Sequence, residues 1–208
     1  MDAETASSAD CIPATALDAY IQLRWDRRVD QWRGLDVPED AVVFLGSSII
    51  EEGEWSHLFP NTTTLNRGIG ADATQGVFDR LDQIIETRPS KVFLYIGGND
   101  FSRLDDTPEE TWVRLQKILS QLQAALPETA LFVYTLFPRE AQHADKIEAF
   151  NALVRSKLSS SHVTVINAHP WFLGEGGAID PTFSNDRIHL SGEAYRIWED
   201  NIRLHLEK

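Results

Sequence analysis

Three features are scarce or missing in this 208-residue chain: cysteine, long apolar runs and an excess of positive charge. Cys11 is the only cysteine, so no internal disulfide can form. No run of about 18 apolar residues occurs, and residues 1–5 lack the basic start of a secretory signal. The 19 basic and 32 acidic residues give a formal net charge of −13, which argues against binding to nucleic acid or anionic membranes. We therefore expect a soluble, cytoplasmic protein without nucleic-acid or membrane partners.

The chain does contain enough apolar residues for one sizeable core. Apolar types make up 42% of it and aromatic types 10%. A single domain of this length buries roughly 70% of the surface that its unfolded chain exposes. No proline-, glycine- or serine-rich linker divides the sequence. We expect a flexible amino-terminal tail at residues 1–13 and one domain at residues 14–208.

Short apolar runs alternate along the chain with segments of helical periodicity. The runs predict strands at residues 41–45, 62–65, 91–96, 130–136 and 163–166. The periodic segments predict helices at residues 15–33, 74–87, 107–126 and 145–158, and a last helix capped by Ser191. This alternation, with nearly all-apolar strands, is typical of an α/β fold with a parallel sheet.

The first apolar run leads directly into Gly46, Ser47 and Ser48. In open α/β sheets, ligands bind outside the carboxyl ends of the strands. A hydroxyl group placed just past such an end therefore lies where a ligand is expected. Ser48 is the first candidate for a catalytic residue.

A histidine and an aspartate that could activate this serine stand near the other end of the chain. Asp186 and His189 lie three residues apart on a turn before the last predicted helix, so their side chains can meet. A serine hydroxyl is a poor nucleophile until an imidazole takes its proton, and the imidazole needs a third group to fix its tautomer. We predict that Ser48, His189 and Asp186 supply these three roles.

Two further turns offer hydrogen-bond donors for a developing oxyanion. Backbone N–H groups in glycine-rich turns and asparagine side chains both serve this purpose in acyl transfer. The turn at Gly70-Ala71 offers the first kind of donor, and Asn99, just past the third predicted strand, offers the second. We predict that both positions face the same site as Ser48.

The segment at residues 167–185 shows no periodicity, which is unusual for so many residues inside a compact domain. Irregular segments of this length tend to be functional. We predict that Trp171 and Phe172 from this segment, together with Trp55, line the substrate pocket.

The candidate residues fall into four short blocks, at residues 44–48, 66–72, 97–100 and 186–190. The blocks read Phe-Leu-Gly-Ser-Ser, Asn-Arg-Gly-Ile-Gly-Ala-Asp, Gly-Gly-Asn-Asp and Asp-Arg-Ile-His-Leu. In this order they resemble the four blocks of the SGNH (GDSL-type) esterases and lipases. The sequence is most similar to the platelet-activating-factor acetylhydrolase-like branch, which shares the Asn-x-Gly-Ile-Gly form.

This resemblance implies a flavodoxin-like three-layer α/β/α sandwich with a five-stranded parallel sheet. It implies Ser48 as the nucleophile and Asp186 and His189 as the other members of a triad. The implied oxyanion hole consists of the Ser48 N–H, the Ala71 N–H and the Asn99 side chain. We expect neither a cofactor nor a metal ion.

Two positions depart from the usual pattern of that family. Ser47 replaces the aspartate of Gly-Asp-Ser, which steadies the loop rather than reacting. A serine hydroxyl can accept a similar backbone hydrogen bond, so we expect activity to survive. Ala71 replaces a glycine but keeps the backbone N–H donor, so this change matters only if the backbone there requires a positive φ.

We therefore predict a serine ester hydrolase that acts on small acyl esters, O-acetylated carbohydrates among them, through a covalent acyl-enzyme. A small acyl group is favoured because the chain has no long apolar insertion to shelter a fatty chain. The expected partner is a small-molecule ester, and homo-oligomerisation stays open.

Three other functions stay open at this point. A transacylase would use the same triad. A metal-dependent phosphoesterase would use residues 99, 100, 169, 186 and 189 as ligands of a two-metal site, although no bridging Asp-x-His motif accompanies them. A flavodoxin-like binding module would have no catalytic use for Ser48.

Overall fold

Five parallel strands form a sheet at the centre of the fold. The computed structural model describes residues 16–158 and 162–206. The strands are β1 (Val42–Gly46), β2 (Thr64–Gly68), β3 (Lys91–Tyr95), β4 (Ala130–Tyr134) and β5 (Val163–Ile166), in the spatial order β2-β1-β3-β4-β5. Phe44 on β1 lies opposite Asn66 on β2 and Phe93 on β3. The strand order reverses at β1, and ligands bind at such switch points.

Helices cover both faces of the sheet. They are α1 (Ala16–Arg33), α2 (Ser48–Glu51), α3 (Trp55–Leu58), α4 (Thr74–Asp79), α5 (Leu81–Glu86), α6 (Gly98–Ser102), α7 (Pro108–Ala125), α8 (Ala144–Lys157) and α9 (Gly192–Leu206). Right-handed crossovers put helices on opposite faces because the β1-to-β2 connection runs one way across the sheet and the later connections run the other way. The predicted flavodoxin-like α/β/α sandwich is confirmed.

Two helix starts show how the sequence sets these boundaries. The Thr107 hydroxyl accepts a hydrogen bond from the Glu110 N–H at 3.2 Å, and the Glu110 carboxylate accepts one from the Thr107 N–H at 2.9 Å. This capping box, with Pro108 at the first helical position, begins α7. Ser191 accepts a hydrogen bond from the Ala194 N–H at 3.3 Å, which confirms the predicted cap of α9.

The segment predicted as one helix at residues 74–87 is two helices, which meet at Arg80. Arg80 has φ −119° and ψ 18°, outside the helical region, and its side chain is fully buried. Its guanidinium donates to the carbonyl oxygens of Gly46 and Arg67, at the ends of β1 and β2, at 3.0 Å each. The helix is therefore interrupted at Arg80, whose buried side chain links the two helices to the carboxyl edge of the sheet.

The main core lies between the sheet and its helices. Aromatic residues run through it from strand to strand: the Phe44 and Phe93 ring centroids are 5.3 Å apart, and those of Phe93 and Phe132 are 4.4 Å apart. Burying each such side chain contributes about 1.5–3 kcal/mol. A separate small cluster of Val29, Trp32 and Ile69 attaches α1.

Two segments of the described structure differ from expectation in detail. Leu17, the first residue of the apolar stripe predicted for α1, is 65% exposed. The irregular segment 167–185 contains short 3-10 turns at His169–Phe172 and Glu175–Gly177. None of the described helices is long and apolar enough to cross a membrane. The predicted tail at residues 1–13 and the predicted helix start at Thr15 lie outside the described residues, and the domain boundaries stay a prediction.

Candidate active site

Strand β1 delivers Ser48 to the carboxyl edge of the sheet. Gly46 ends this strand in close contact with β3, because a Cβ at residue 46 would lie 2.1 Å from the Tyr95 carbonyl oxygen. Ser48 is the first residue of α2. The Tyr195 hydroxyl donates to the Ile49 carbonyl at 2.6 Å and links this short helix to α9. The backbone that carries Ser48 is therefore held by β3 on one side and by α9 on the other.

The turn before α9 brings Asp186 and His189 to Ser48. Asp186 Oδ1 accepts hydrogen bonds from the N–H groups of Ile188 and His189, both at 2.8 Å. Asp186 Oδ2 lies 2.6 Å from His189 Nδ1. His189 Nε2 lies 2.9 Å from Ser48 Oγ, across 141 residues of sequence. The three side chains that the sequence singled out thus form one hydrogen-bonded chain.

The electrostatics of this chain favour one histidine tautomer. Burial alone would raise the pKa of Asp186, but hydrogen bonds from His189 and Ile188 lower it well below its ordinary value. An ionised Asp186 keeps a proton on His189 Nδ1, which leaves the lone pair of Nε2 toward the Ser48 hydroxyl. Glu52 Oε1 lies 3.8 Å from the same Nε2, a neighbour that the sequence pattern did not indicate.

Ala71 and Asn99 line the same cavity as Ser48. Ala71 has a φ of 66°, in the left-handed region that favours glycine. The replacement of the family's usual glycine by alanine therefore matters at this position. Arg103 Nη1 donates to the Ala71 carbonyl at 2.6 Å, and Asn99 Nδ2 donates to the Asp72 carbonyl at 2.8 Å. The second bond fixes the plane of the Asn99 amide and leaves its other N–H without an acceptor among the described residues.

These groups surround a cavity of about 610 Å³ at the carboxyl end of the sheet. Its volume falls within the roughly 300–1,000 Å³ that is usual for small-molecule sites. The first helix contributes Leu17, Tyr20, Ile21 and Arg24 to its wall. Arg139, Ile188 and His189 also line it. The cavity therefore offers both apolar and charged surface beside the Ser48 hydroxyl.

The matched stretch of sequence decides the family. The model of the GDSL-like Lipase/Acylhydrolase family matches residues 44–197, well over half of the chain. The chain belongs to this GDSL-like family. The predicted resemblance is confirmed, and the chain is a carboxylic ester hydrolase.

Individual relatives of this GDSL-like chain are consistent with the family assignment. The Rattus norvegicus platelet-activating factor acetylhydrolase IB subunit alpha1 is 31% identical over 168 residues, which cover 76% of this chain and 71% of the relative. The Homo sapiens subunit alpha2 is 27% identical over 202 residues, covering 91% and 86%. A solved GDSL-like lipase from Bacteroides thetaiotaomicron superposes with a TM-score of 0.78 at 22% identity, covering 88% of this chain and 97% of that one. This last likeness shows a shared fold.

A buried ion pair supports the candidate active site of this GDSL-like enzyme. Arg80 Nε donates to Asp72 Oδ2 at 2.9 Å, and both side chains are almost completely buried. Burial raises the pKa of Asp72 to about 6, while the Arg80 guanidinium beside it acts in the opposite direction. Since the Asp72 carbonyl holds Asn99, the pair connects the ends of β1 and β2 to that amide. Sequence reasoning missed it, although a charged residue on the apolar face of a predicted helix was the available signal.

The prediction that three aromatic residues line the pocket is wrong. Trp55 is 2% exposed and stacks on Phe44 with ring centroids 3.9 Å apart, and its Nε1 donates to the Ile50 carbonyl at 2.9 Å. Phe172 is fully buried, and Trp171 packs against the main core. None of the three lies in the wall of the cavity beside Ser48. Large aromatic side chains gain most by filling the core, and these three do so.

The residues weighed as metal ligands are engaged elsewhere. Asp100 Oδ2 accepts a hydrogen bond from the Thr74 N–H at 3.1 Å, and Arg114 lies 3.3 Å from its Oδ1. His169 Nδ1 lies 2.9 Å from the Leu136 carbonyl oxygen. Within residues 16–158 and 162–206, no group of three or more histidine, cysteine, aspartate or glutamate side chains is arranged to hold a metal ion.

Ser47 steadies its loop through the backbone. Its side chain makes no capping hydrogen bond to α2, whereas its carbonyl oxygen accepts one from the Glu51 N–H at 2.9 Å. Asn66 Nδ2 adds hydrogen bonds to the carbonyls of Glu51 and Gly53, at 3.0 and 3.1 Å. The hydrogen bond expected for the Ser47 hydroxyl is therefore not seen at the start of α2, and the Asn66 side chain holds the far end of this helix.

Proposed function

We propose that this enzyme hydrolyses small acyl esters with Ser48 as its nucleophile. The observation that carries the proposal is the hydrogen-bonded chain from Asp186 Oδ2 through the His189 ring to Ser48 Oγ, with distances of 2.6 and 2.9 Å. An alcohol, an imidazole and a carboxylate in this order are the parts that acyl transfer by a serine requires.

In the acylation step, Ser48 Oγ attacks the ester carbonyl carbon while its proton passes to His189 Nε2. The new bond turns the carbonyl oxygen into an oxyanion, for which the N–H groups of Ser48, Ala71 and the Asn99 amide are the proposed donors. The oxyanion then collapses, the bond to the alcohol breaks, and the leaving alcohol takes the proton from His189. The acyl group remains on Ser48 as an ester.

In the deacylation step, His189 Nε2 removes a proton from a water molecule, and the water oxygen attacks the acyl carbon. Collapse of the second oxyanion releases the carboxylic acid and returns the proton to Ser48 Oγ. Asp186 stabilises the transient imidazolium in both steps without taking its proton. The His189 side chain is 33% exposed, which supports access by water. A second alcohol in place of that water would give transacylation through the same residues.

The small acyl group in this proposal is supported by the relatives described above, which are named acetylhydrolases. Acetyl esters are therefore the first substrates to test, with O-acetylated carbohydrates as one class of them. The cavity of about 610 Å³ is large enough for an acetyl group and a sugar-sized alcohol.

Labelling with a fluorophosphonate, followed by peptide mapping, tests the nucleophile. We expect one label, on Ser48, which EDTA leaves unchanged and the Ser48→Ala variant loses. Ser102 is a matched control because it lines the same cavity, but its hydroxyl donates to the Gly98 carbonyl at 3.2 Å. The Ser102→Ala variant should keep the label. Activity that EDTA abolishes, without any label, would favour the metal-dependent phosphoesterase instead.

A further inference from the structure

One arginine in the wall of the cavity is buried without a hydrogen-bond acceptor. Arg139 follows β4 and lines the cavity, yet it is only 6% exposed. Its Nε is buried and donates to no acceptor in the described residues. Glu140 Oε2 lies 3.5 Å from this nitrogen and is itself buried without a hydrogen-bond partner there. The two charges are close, but the geometry of a hydrogen bond is not met.

The other two arginines of the cavity are engaged by the protein. Arg24 forms an ion pair with Glu51. Arg103 donates to the Ala71 carbonyl at 2.6 Å and lies 3.5 Å from Asp18 Oδ1. A guanidinium carries five N–H donors, and burying a cation without acceptors is costly. Of the three arginines, Arg139 is therefore the one whose guanidinium makes no hydrogen bond to the described residues, although the Glu140 carboxylate lies nearby.

Arg139 packs against the residue that precedes the proposed oxyanion donor. A Cβ at residue 98 would lie 2.9 Å from Arg139 Nη1, so the guanidinium rests against Gly98. Asn99, the proposed oxyanion donor, is the next residue. Arg139, Asn99 and Ser48 line the same cavity, so one ligand can contact all three.

We propose that Arg139 binds an anionic oxygen group of the substrate, a carboxylate or a phosphate; this inference rests on the ester hydrolysis proposed above. The planar fork of the guanidinium matches both groups in bidentate geometry. The formal net charge of −13 repels anions at long range, so recognition depends on this buried contact. Arg139 then determines specificity, selecting esters with a negative charge near the scissile bond.

Two matched pairs of esters test this inference and show which side of the ester carries the charge. In the first pair, ethyl hydrogen succinate carries a negative charge on the acyl side, and diethyl succinate lacks it. In the second pair, the 4-acetoxybenzoate anion carries the charge on the alcohol side, and its methyl ester lacks it. We expect kcat/KM of the wild-type enzyme to favour the anionic member of at least one pair by about 10- to 100-fold, the range of a hydrogen bond to a charged group. Competitive inhibition of methyl 4-acetoxybenzoate hydrolysis by inorganic phosphate, at constant ionic strength, tests the phosphate.

Variants assign any preference to Arg139. Arg139→Met should remove most of the preference, because it should lower kcat/KM for the anionic esters much more than for the neutral ones. Arg155→Met is the matched control, since Arg155 is paired with Glu148 on the surface of α8 and its loss changes the net charge equally. Arg139→Lys keeps the charge but loses the fork and should give an intermediate preference.

Distinct outcomes separate this inference from the proposed function. If the wild-type enzyme treats both members of each pair alike and phosphate does not inhibit, the anion site does not exist. If Arg139→Met lowers anionic and neutral hydrolysis equally, Arg139 has a structural role only. Should neither variant fold, the wild-type preference and phosphate inhibition decide. Hydrolysis of neutral acetates that depends on Ser48 would uphold the proposed function in all of these cases.

Discussion

The cavity beside Ser48, about 610 Å³, is smaller than a depression of about 880 Å³ at the amino end of the sheet. The larger depression lies among the loops that lead into the strands, at residues 85–90 and 125–129. Its polar groups bind one another: the Ser90 hydroxyl donates to the Asp40 carbonyl at 2.9 Å, and the Thr129 hydroxyl donates to the Pro89 carbonyl at 2.6 Å. These bonds hold loops together and leave little reactive chemistry.

At the carboxyl end of the sheet, by contrast, a hydroxyl, an imidazole and an amide converge on one space. They come from the ends of β1 and β3 and from the turn before α9. Parallel strands bring their carboxyl ends to one edge, so residues far apart in sequence meet there. The chemistry of the lining, more than the volume, therefore locates the site. Paired substitutions inside and outside the cavity beside Ser48 test this conclusion.

The largest difference should come from two serine substitutions. Ser48→Ala at the carboxyl end should lower kcat/KM for an acetyl ester by at least about 10³-fold, because the proposed nucleophile is lost. Ser90→Ala at the amino end removes only a loop hydrogen bond. It should leave kcat/KM within about twofold and cost roughly 1 kcal/mol of unfolding free energy. Steady-state kinetics and urea unfolding measure both. Equal activity of the two variants would remove the distinction between the ends.

The second difference concerns two asparagine side chains. Asn99→Ala should lower kcat by about 10²- to 10³-fold with little change in KM, since its amide is the proposed donor to the oxyanion. Asn151 is fully buried and exchanges two hydrogen bonds with the backbone of Leu136, at 2.7 and 2.9 Å. Asn151→Ala should instead cost about 2–4 kcal/mol of unfolding free energy, because both backbone groups lose their partner. An Asn99→Ala variant within a few-fold of wild-type kcat would contradict the oxyanion role.

Much of this arrangement could be predicted because it depends on local patterns. The apolar strands, the caps of α7 and α9 and the residues at the strand ends all have signatures within a few positions. The four blocks, read in order, predicted which of these ends would meet. Trp55, Trp171 and Phe172 were assigned wrongly because nothing in a local pattern distinguishes an aromatic side chain in the core from one in a pocket.

Other features could not be predicted because they depend on burial and side-chain direction. The Asp72–Arg80 pair requires knowing that Arg80 turns inward beneath two strand ends. The lack of a hydrogen-bond acceptor for Arg139 becomes evident only when the groups around it are located. The positive φ of Ala71 likewise belongs to the folded turn, although the family's usual glycine at this position was a hint.

Relief of backbone strain gives the third and smaller difference. Ala71 and Arg88 both have positive φ, 66° and 43°, and they stand at opposite ends of the sheet. Replacing either by glycine should raise the unfolding free energy by about 1 kcal/mol or less, because the left-handed region costs glycine little, while its greater freedom in the unfolded chain offsets part of the gain. Ala71→Gly should keep kcat within about threefold, since the N–H donor remains. A larger loss of kcat would show that the Ala71 methyl group itself contacts the substrate.

The smallest expected effect is the pH dependence of stability that Asp186 contributes. Its pKa in the folded enzyme lies below the ordinary value of about 3.9, which the unfolded chain should show. Its contribution is therefore fully present above about pH 5 and is lost as the pH falls through the unfolded value toward the folded one. The unfolding free energy of the wild type, minus that of Asp186→Asn, should decrease between about pH 5 and pH 3, by less than about 1 kcal/mol because the side chain is 45% exposed. A difference that increased on acidification would mean a raised pKa. Asp186 would then not be the permanently ionised partner on which the tautomer of His189 depends.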